Sequence, residues 1–145
     1  MKSGLRLLLV DDNPADVGLT REALAKSPHH SKIESVEDGA EALAFLGRRG
    51  KYENAVRPDL VILDLSLPKR DGLAVLAAIR AGPELRRIPV VIFSTSQLSK
   101  DIMRSYELGA NCYVSKPGNL NDFFSAVREI EEFWCELASL PPRGE

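Results

Sequence analysis

Apolar, β-branched-rich runs recur at Leu5–Val10, Ile33–Val36, Leu60–Leu63, Val90–Phe93 and Cys112–Val114, and the stretches between them repeat apolar residues at helical spacing. The runs read as strands and the periodic stretches as helices, a βα unit repeated five times. In "NPAD" Asn13 can cap the first helix, and Pro14 suits its first position, where the missing N–H would have no intrahelical partner. That helix should end near Ser27-Pro28. The sets Ala42/Phe45/Leu46, Leu73/Leu76/Ala77 and Leu98/Ile102/Tyr106 give the next three helices a face toward a sheet. One long helix is predicted from Leu120 to Leu140, and "LGRRGKYENAVRPD" (46–59) reads as a loop ahead of the third strand. Strands alternating with helices pair in parallel, and continuously apolar strands need helices on both sides. The fold class is α/β, a doubly wound five-stranded parallel sheet.

Length and composition narrow this to one domain spanning 1–145, since 145 residues at 44% hydrophobic composition can bury a core. A net charge of −2, with basic residues scattered, argues against a nucleic-acid footprint. The opening "MKSGLRLLLV" is too short for a membrane span and lacks a cleavage site, so the protein is expected in the cytoplasm and off the membrane. Cys112 and Cys135 have no metal-ligand spacing and read as reduced thiols. His29 and His30 in "SPHHSK" read as solvated loop residues, and Glu37, Asp38 and Asp71 as helix starts or turns.

Candidate chemistry appears where the strands end. Strand one runs into Asp11-Asp12, strand three into Asp64, strand four into Ser94-Thr95 and strand five into Ser115-Lys116. In a parallel sheet these exits share the carboxyl edge, where open α/β sheets place ligands near the reversal of strand order. With order 2-1-3-4-5 the reversal lies between strands one and three, which brings Asp11, Asp12 and Asp64 together. Packed carboxylates raise one another's pKa unless cations offset them. Lys116 supplies one positive charge, and Mg²⁺, which takes carboxylates, carbonyls, water and phosphate oxygens, suits the rest.

The segments "LLLVDDNPAD", "LVILDLSLPKRDG", "IPVVIFSTS" and "LGANCYVSKP" together resemble the receiver domain of two-component response regulators, with 30 residues from Asp64 to Ser94 and 22 from Ser94 to Lys116. The resemblance runs from about Leu5 to Val127 and implies a flavodoxin-like (βα)5 receiver. It implies that Asp64 takes a phosphoryl group from a sensor histidine kinase as an acyl phosphate, the protein catalysing its own phosphorylation and dephosphorylation without turning over an external substrate. By the same resemblance Asp12 and Asp64 bind Mg²⁺ directly, Asp11 mostly through water, and Ser66 through its backbone carbonyl. Lys116 pairs with Asp64 and then with the phosphoryl group, Ser94 donates its hydroxyl to a phosphoryl oxygen, and Tyr113 rotates inward. The Lys116-Pro117 bond is expected to be cis. Thr95 stands where the family usually has a small residue, and Ser66 and Ser96 occupy positions that tune phosphate lifetime. The opening "DDNPADVGLTREAL", the long loop, "FSTS" and the tail "FWCELASLPP" are similar to the stand-alone regulators that accompany bacterial and cyanobacterial phytochromes, which makes a bacteriophytochrome one candidate kinase.

A haloacid-dehalogenase-like hydrolase would want a second aspartate where Ser66 stands, and a nucleotide-binding fold would want glycines where "VDDNPAD" offers carboxylates. A receiver-like interaction module that is not phosphorylated is the alternative, and the five key residues argue against it. With only 29 residues after Lys116 no output domain is expected, so output would pass through protein contacts. Beyond the core, residues 128–145 carry Phe133, Trp134, Leu137 and Leu140, more apolar surface than one helix face needs. These four residues are predicted to be exposed in a monomer and to form a homodimer interface.

Overall fold

The alternation of side chains along each strand splits the apolar runs between two cores, one on each face of the sheet. The computed structural model describes residues 4–69 and 71–142, so residues 143–145 of the predicted tail and 1–3 of the predicted domain lie outside the described residues. The strands are β1 (Arg6–Val10), β2 (Lys32–Val36), β3 (Leu60–Leu63), β4 (Val90–Ser94) and β5 (Cys112–Ser115), all parallel and in the expected order 2-1-3-4-5. The helices between and after them are α1 (Pro14–Ala25), α2 (Gly39–Gly47), α3 (Gly72–Ala81), α4 (Ser99–Glu107) and α5 (Leu120–Glu132).

Leu8, Val10, Val61, Leu63, Val90 and Ile92 face α2 and α3, where Leu46, Leu76 and Ile79 are fully buried. Leu7, Leu9, Leu60, Ile62, Val91 and Phe93 face the other way, onto α1 and α5 through Leu24, Phe123, Val127 and Ile130. Each such side chain contributes on the order of 1.5–3 kcal/mol. Caps fall where the chain predicts them: Asn13 accepts from the Ala15 and Asp16 N–H groups, and Asp38 and Asp71 cap α2 and α3. The 46–59 connection holds a short 3₁₀ turn, Gly50–Tyr52.

Two elements depart from expectation. Leu98 and Tyr106 do not face the sheet but are 56% and 49% exposed, and Ser105 is the buried residue of α4. The helix begins at Ser99, which leaves Leu98 as its cap, and the edge strand β5 offers little sheet to cover. The predicted helix to Leu140 ends at Glu132 and gives way to a π-helical turn, Phe133–Leu137, closed by the Ala138 N–H donating to the Phe133 carbonyl at 2.8 Å. The extra residue in a π turn shifts the helical phase. Cys135 is buried, and Trp134 and Leu140 pack against the domain's own core, correcting their expected exposure. Of the four predicted interface residues, Phe133 (47%) and Leu137 (76%) remain exposed. No helix is long and apolar enough to cross a membrane among the described residues.

Candidate functional site

The parallel ladder carries the site residues to one place by continuing past the strand ends. The Asp64 N–H donates to the Val10 carbonyl at 2.9 Å, the Asp11 N–H to Val36 at 3.1 Å and the Lys116 N–H to Ser94 at 2.8 Å. Asp11, Asp64, Ser94 and Lys116 are therefore held by backbone and buried at the carboxyl edge. Lys116 Nζ donates at 2.8 Å to each of three carboxylates, those of Asp11, Asp16 and Asp64. Asp16 went unrecognised in the strand-end pattern because it belongs to the first turn of α1; its signal was the "NPAD" helix start on the same sheet edge.

The other oxygens of the two buried aspartates are also engaged. Asp11 Oδ1 accepts from the Asn13 N–H at 2.9 Å and Asp64 Oδ1 from the Ser66 N–H at 3.2 Å. Burial pushes the Asp11 carboxyl above its usual range, and the Lys116 and Asn13 hydrogen bonds offset this only in part. Burial alone would lower the Lys116 pKa, but hydrogen bonds to Asp11, Asp16 and Asp64 more than reverse it, and the ammonium is held well above its ordinary value. Asp12 is exposed, and no side chain pairs with it among the described residues. Three carboxylates thus face one ammonium, with Asp12 next in the chain to Asp11, a surplus of oxygen donors that fits a hard divalent cation.

Gly72 closes the floor of the site. Its N–H donates to the Leu65 carbonyl at 3.0 Å, and a Cβ there would lie 2.3 Å from the Asp64 carbonyl oxygen, so only glycine lets α3 start this close to β3.

Beside the acids, Ser94 is fully buried and its Oγ accepts from the Ser96 N–H at 3.4 Å. The Ser96 hydroxyl donates to Asp101 Oδ2 at 2.6 Å, and the Ser96 carbonyl accepts from the Tyr113 hydroxyl at 2.8 Å. Tyr113 is half-buried, and its N–H donates to the Tyr106 hydroxyl at 3.2 Å. The predicted cis bond is not present: no peptide bond among the described residues is cis, so Lys116–Pro117 is trans. Trans is favoured at X–Pro by about 0.5–1 kcal/mol, and the lysine reaches all three carboxylates from that backbone.

At the opposite edge, His29 is not the solvated residue expected. Its side chain is 13% exposed and its Nε2 lies 2.9 Å from Glu136 Oε2. Cys112 and Cys135 are free thiols, as predicted.

Residues 7–128 match the response regulator receiver domain family. Response regulator Rcp1 of Synechocystis sp. (strain ATCC 27184 / PCC 6803 / Kazusa) is 48% identical over 135 residues, covering 93% of this chain and 92% of that protein. The phosphorylated cyanobacterial phytochrome response regulator RcpA superposes with a TM-score of 0.93 at 50% identity, over 97% of this chain and all of that one (100%). The Mn²⁺-bound form of response regulator Rcp1 gives 0.91 at 47% identity, over 95% and 99% of the two chains. With its strand order, its acid-lysine pocket and these relatives in agreement, the chain belongs to the response regulator receiver domains of two-component phosphorelay signalling, among the relatives of the phytochrome response regulators.

Proposed function

We propose that Asp64 is the phosphoacceptor, and the observation that carries this is the convergence of Asp11, Asp16 and Asp64 on Lys116 Nζ at 2.8 Å. An Asp64 carboxylate oxygen attacks phosphorus of a kinase phosphohistidine; the new O–P bond forms as the P–N bond breaks, and its electron pair stays on the departing imidazole nitrogen. Phosphoryl transfer asks the protein for positioning and charge neutralisation. Lys116 follows the charge from Asp64 to the phosphoryl oxygens, and Ser94 donates its hydroxyl to one of them. Asp12 and Asp64 would hold Mg²⁺, with Asp11 acting through water and the Ser66 carbonyl completing the protein donors. Bound there, Mg²⁺ supplies charge neutralisation at the phosphoryl oxygens.

The protein then acts as a switch in the cytoplasm and not as a turnover enzyme. Its donor is a sensor histidine kinase, with a phytochrome favoured by the relatives. Tyr113, held by Ser96 next to Ser94, would report phosphorylation to the β5 and α4 surface. Phe133 and Leu137, the two tail residues still exposed, are the surface left for a homodimer.

The test is intact mass after acetyl phosphate and Mg²⁺. Wild type should gain one phosphoryl group and Asp64→Asn none; equal labelling of the two would overturn the assignment. Light scattering tests the dimer: the wild type should exceed its 16.0 kDa monomer mass at tens of micromolar and Leu137→Ala should not. A wild type that stays monomeric with and without beryllofluoride would refute it.

A further inference from the structure

His29 stands in the turn between α1 and β2, at the sheet edge opposite the acid pocket, and the backbone of that turn is tied down. The His29 N–H donates to Ser27 Oγ at 3.1 Å, and Ser31 Oγ accepts from the Leu5 N–H at 2.9 Å while donating to Glu131 Oε2 at 2.6 Å. Gly4 lies so close beneath that a Cβ on it would be 2.4 Å from the His29 carbonyl oxygen. Facing this fixed imidazole are Glu132, the last residue of α5, and Glu136, in the π turn that follows. Glu131 and Cys135, one position back from each, point into the core, so Glu132 and Glu136 share the next face, at the rim.

One ligand atom from each of His29, Glu132 and Glu136 lies within 4.8 Å of the others. A tetrahedral ion with ligands at about 2.1 Å holds them about 3.4 Å apart, so closing the site takes roughly an ångström of movement from exposed glutamate side chains. Behind this cluster, on the core side, Glu131 Oε1 is buried and has no hydrogen-bond partner among the described residues. Carboxylates alone would suit Mg²⁺ or Ca²⁺, but a nearly buried imidazole selects a first-row transition metal.

We propose that His29, Glu132 and Glu136 form a second metal site, for a divalent ion of the zinc class, with water completing the coordination. The ion would pin the π turn and the tail after it to the α1–β2 turn, far from the phosphoacceptor. It does not depend on Asp64 chemistry.

Zinc titration by calorimetry tests this in the full chain carrying Asp12→Ala and Asp64→Asn, which disables the acid pocket, in buffer containing Mg²⁺. One equivalent should still bind. Adding His29→Ala, or Glu132→Gln at an exposed position that cannot compromise folding, should weaken binding tenfold or more. Zinc uptake that disappears with the acid pocket, or that survives both His29→Ala and Glu132→Gln at unchanged affinity, would overturn the proposal.

Discussion

Replacing Lys116 with methionine removes the one ammonium that, among the described residues, contacts Asp11, Asp16 and Asp64, while keeping much of the side chain's volume. The Asp11 and Asp64 side chains are 2% and 10% exposed, so neither can turn to water, whereas Asp16 at 20% is half free to do so. Stranding buried charges by deleting one partner costs about 3–5 kcal/mol. At a urea m-value of about 1.5 kcal/mol/M that is a midpoint lower by roughly 2–3 M. The measurement is urea unfolding at pH 7 in EDTA, where the full loss should appear. Millimolar Mg²⁺ should recover part of it, because the ion binds the native acids and not the dispersed carboxylates of the unfolded chain.

The pH dependence has a definite sign. Lys116 has a raised native pKa, so its contribution is complete below its ordinary value of 10.5 and is lost only as pH climbs from there through the native value. Asp11 is also raised, so the native state binds more protons than the unfolded one and stability falls as pH climbs from 3.8 through the native value. Lys116→Met should therefore show its defect at pH 7 and lose part of it in acid, where the Asp11 carboxyl, raised by burial, takes up a proton. A variant that unfolds at the wild-type midpoint in EDTA at pH 7 would refute the reasoning.

Three further substitutions test other parts of the structure. Gly72→Ala forces a Cβ onto the Asp64 carbonyl and should cost at least about 1–3 kcal/mol in thermal unfolding while slowing acetyl-phosphate labelling; unchanged values for both would contradict the close approach. Ser31→Ala strands Glu131 Oε2 and the Leu5 N–H at once, and denaturant unfolding should report a loss of about 1–3 kcal/mol, where a neutral result would mean that water replaces the hydroxyl. Asp12→Ala should abolish most of the Mg²⁺-dependent rise in melting temperature, and a rise preserved in the variant would move the ion away from Asp12.

The meeting of Asp11, Asp64, Ser94 and Lys116 was legible because parallel strands put every exit on one edge and each acid follows its apolar run directly, whereas the sheet order is a common one for doubly wound sheets that the strand exits themselves do not encode. Asp16 was not, since its contact with Lys116 depends on how α1 leaves β1, which no strand-end pattern encodes. Trp134 and Leu140 were misplaced because apolar spacing assumes one helical phase, and the π turn at Phe133 changes that phase midway. His29 looked solvated because its partner Glu136 belongs to an element at the far end of the chain. The α4 face failed for a smaller reason, a helix start one residue later than the apolar set needs.

In the switch proposed for Ser94, the long contact between the Ser96 N–H and Ser94 Oγ bears on the energetics. Ser94 is engaged there as an acceptor, so among the described residues its hydroxyl hydrogen is uncommitted. Donating that hydrogen to a phosphoryl oxygen gains a bond without giving one up as donor. A hydrogen bond to a charged group contributes about 1.5–3 kcal/mol, which corresponds to a population shift of roughly tenfold to a hundredfold. Ser94→Ala should forfeit that shift while keeping the fold, which the Tyr113 ring resonances with and without beryllofluoride would show; an unchanged response would place the drive elsewhere. On the proposed mechanism, the resting state keeps one proton in reserve, and the signal would be the moment it finds an acceptor.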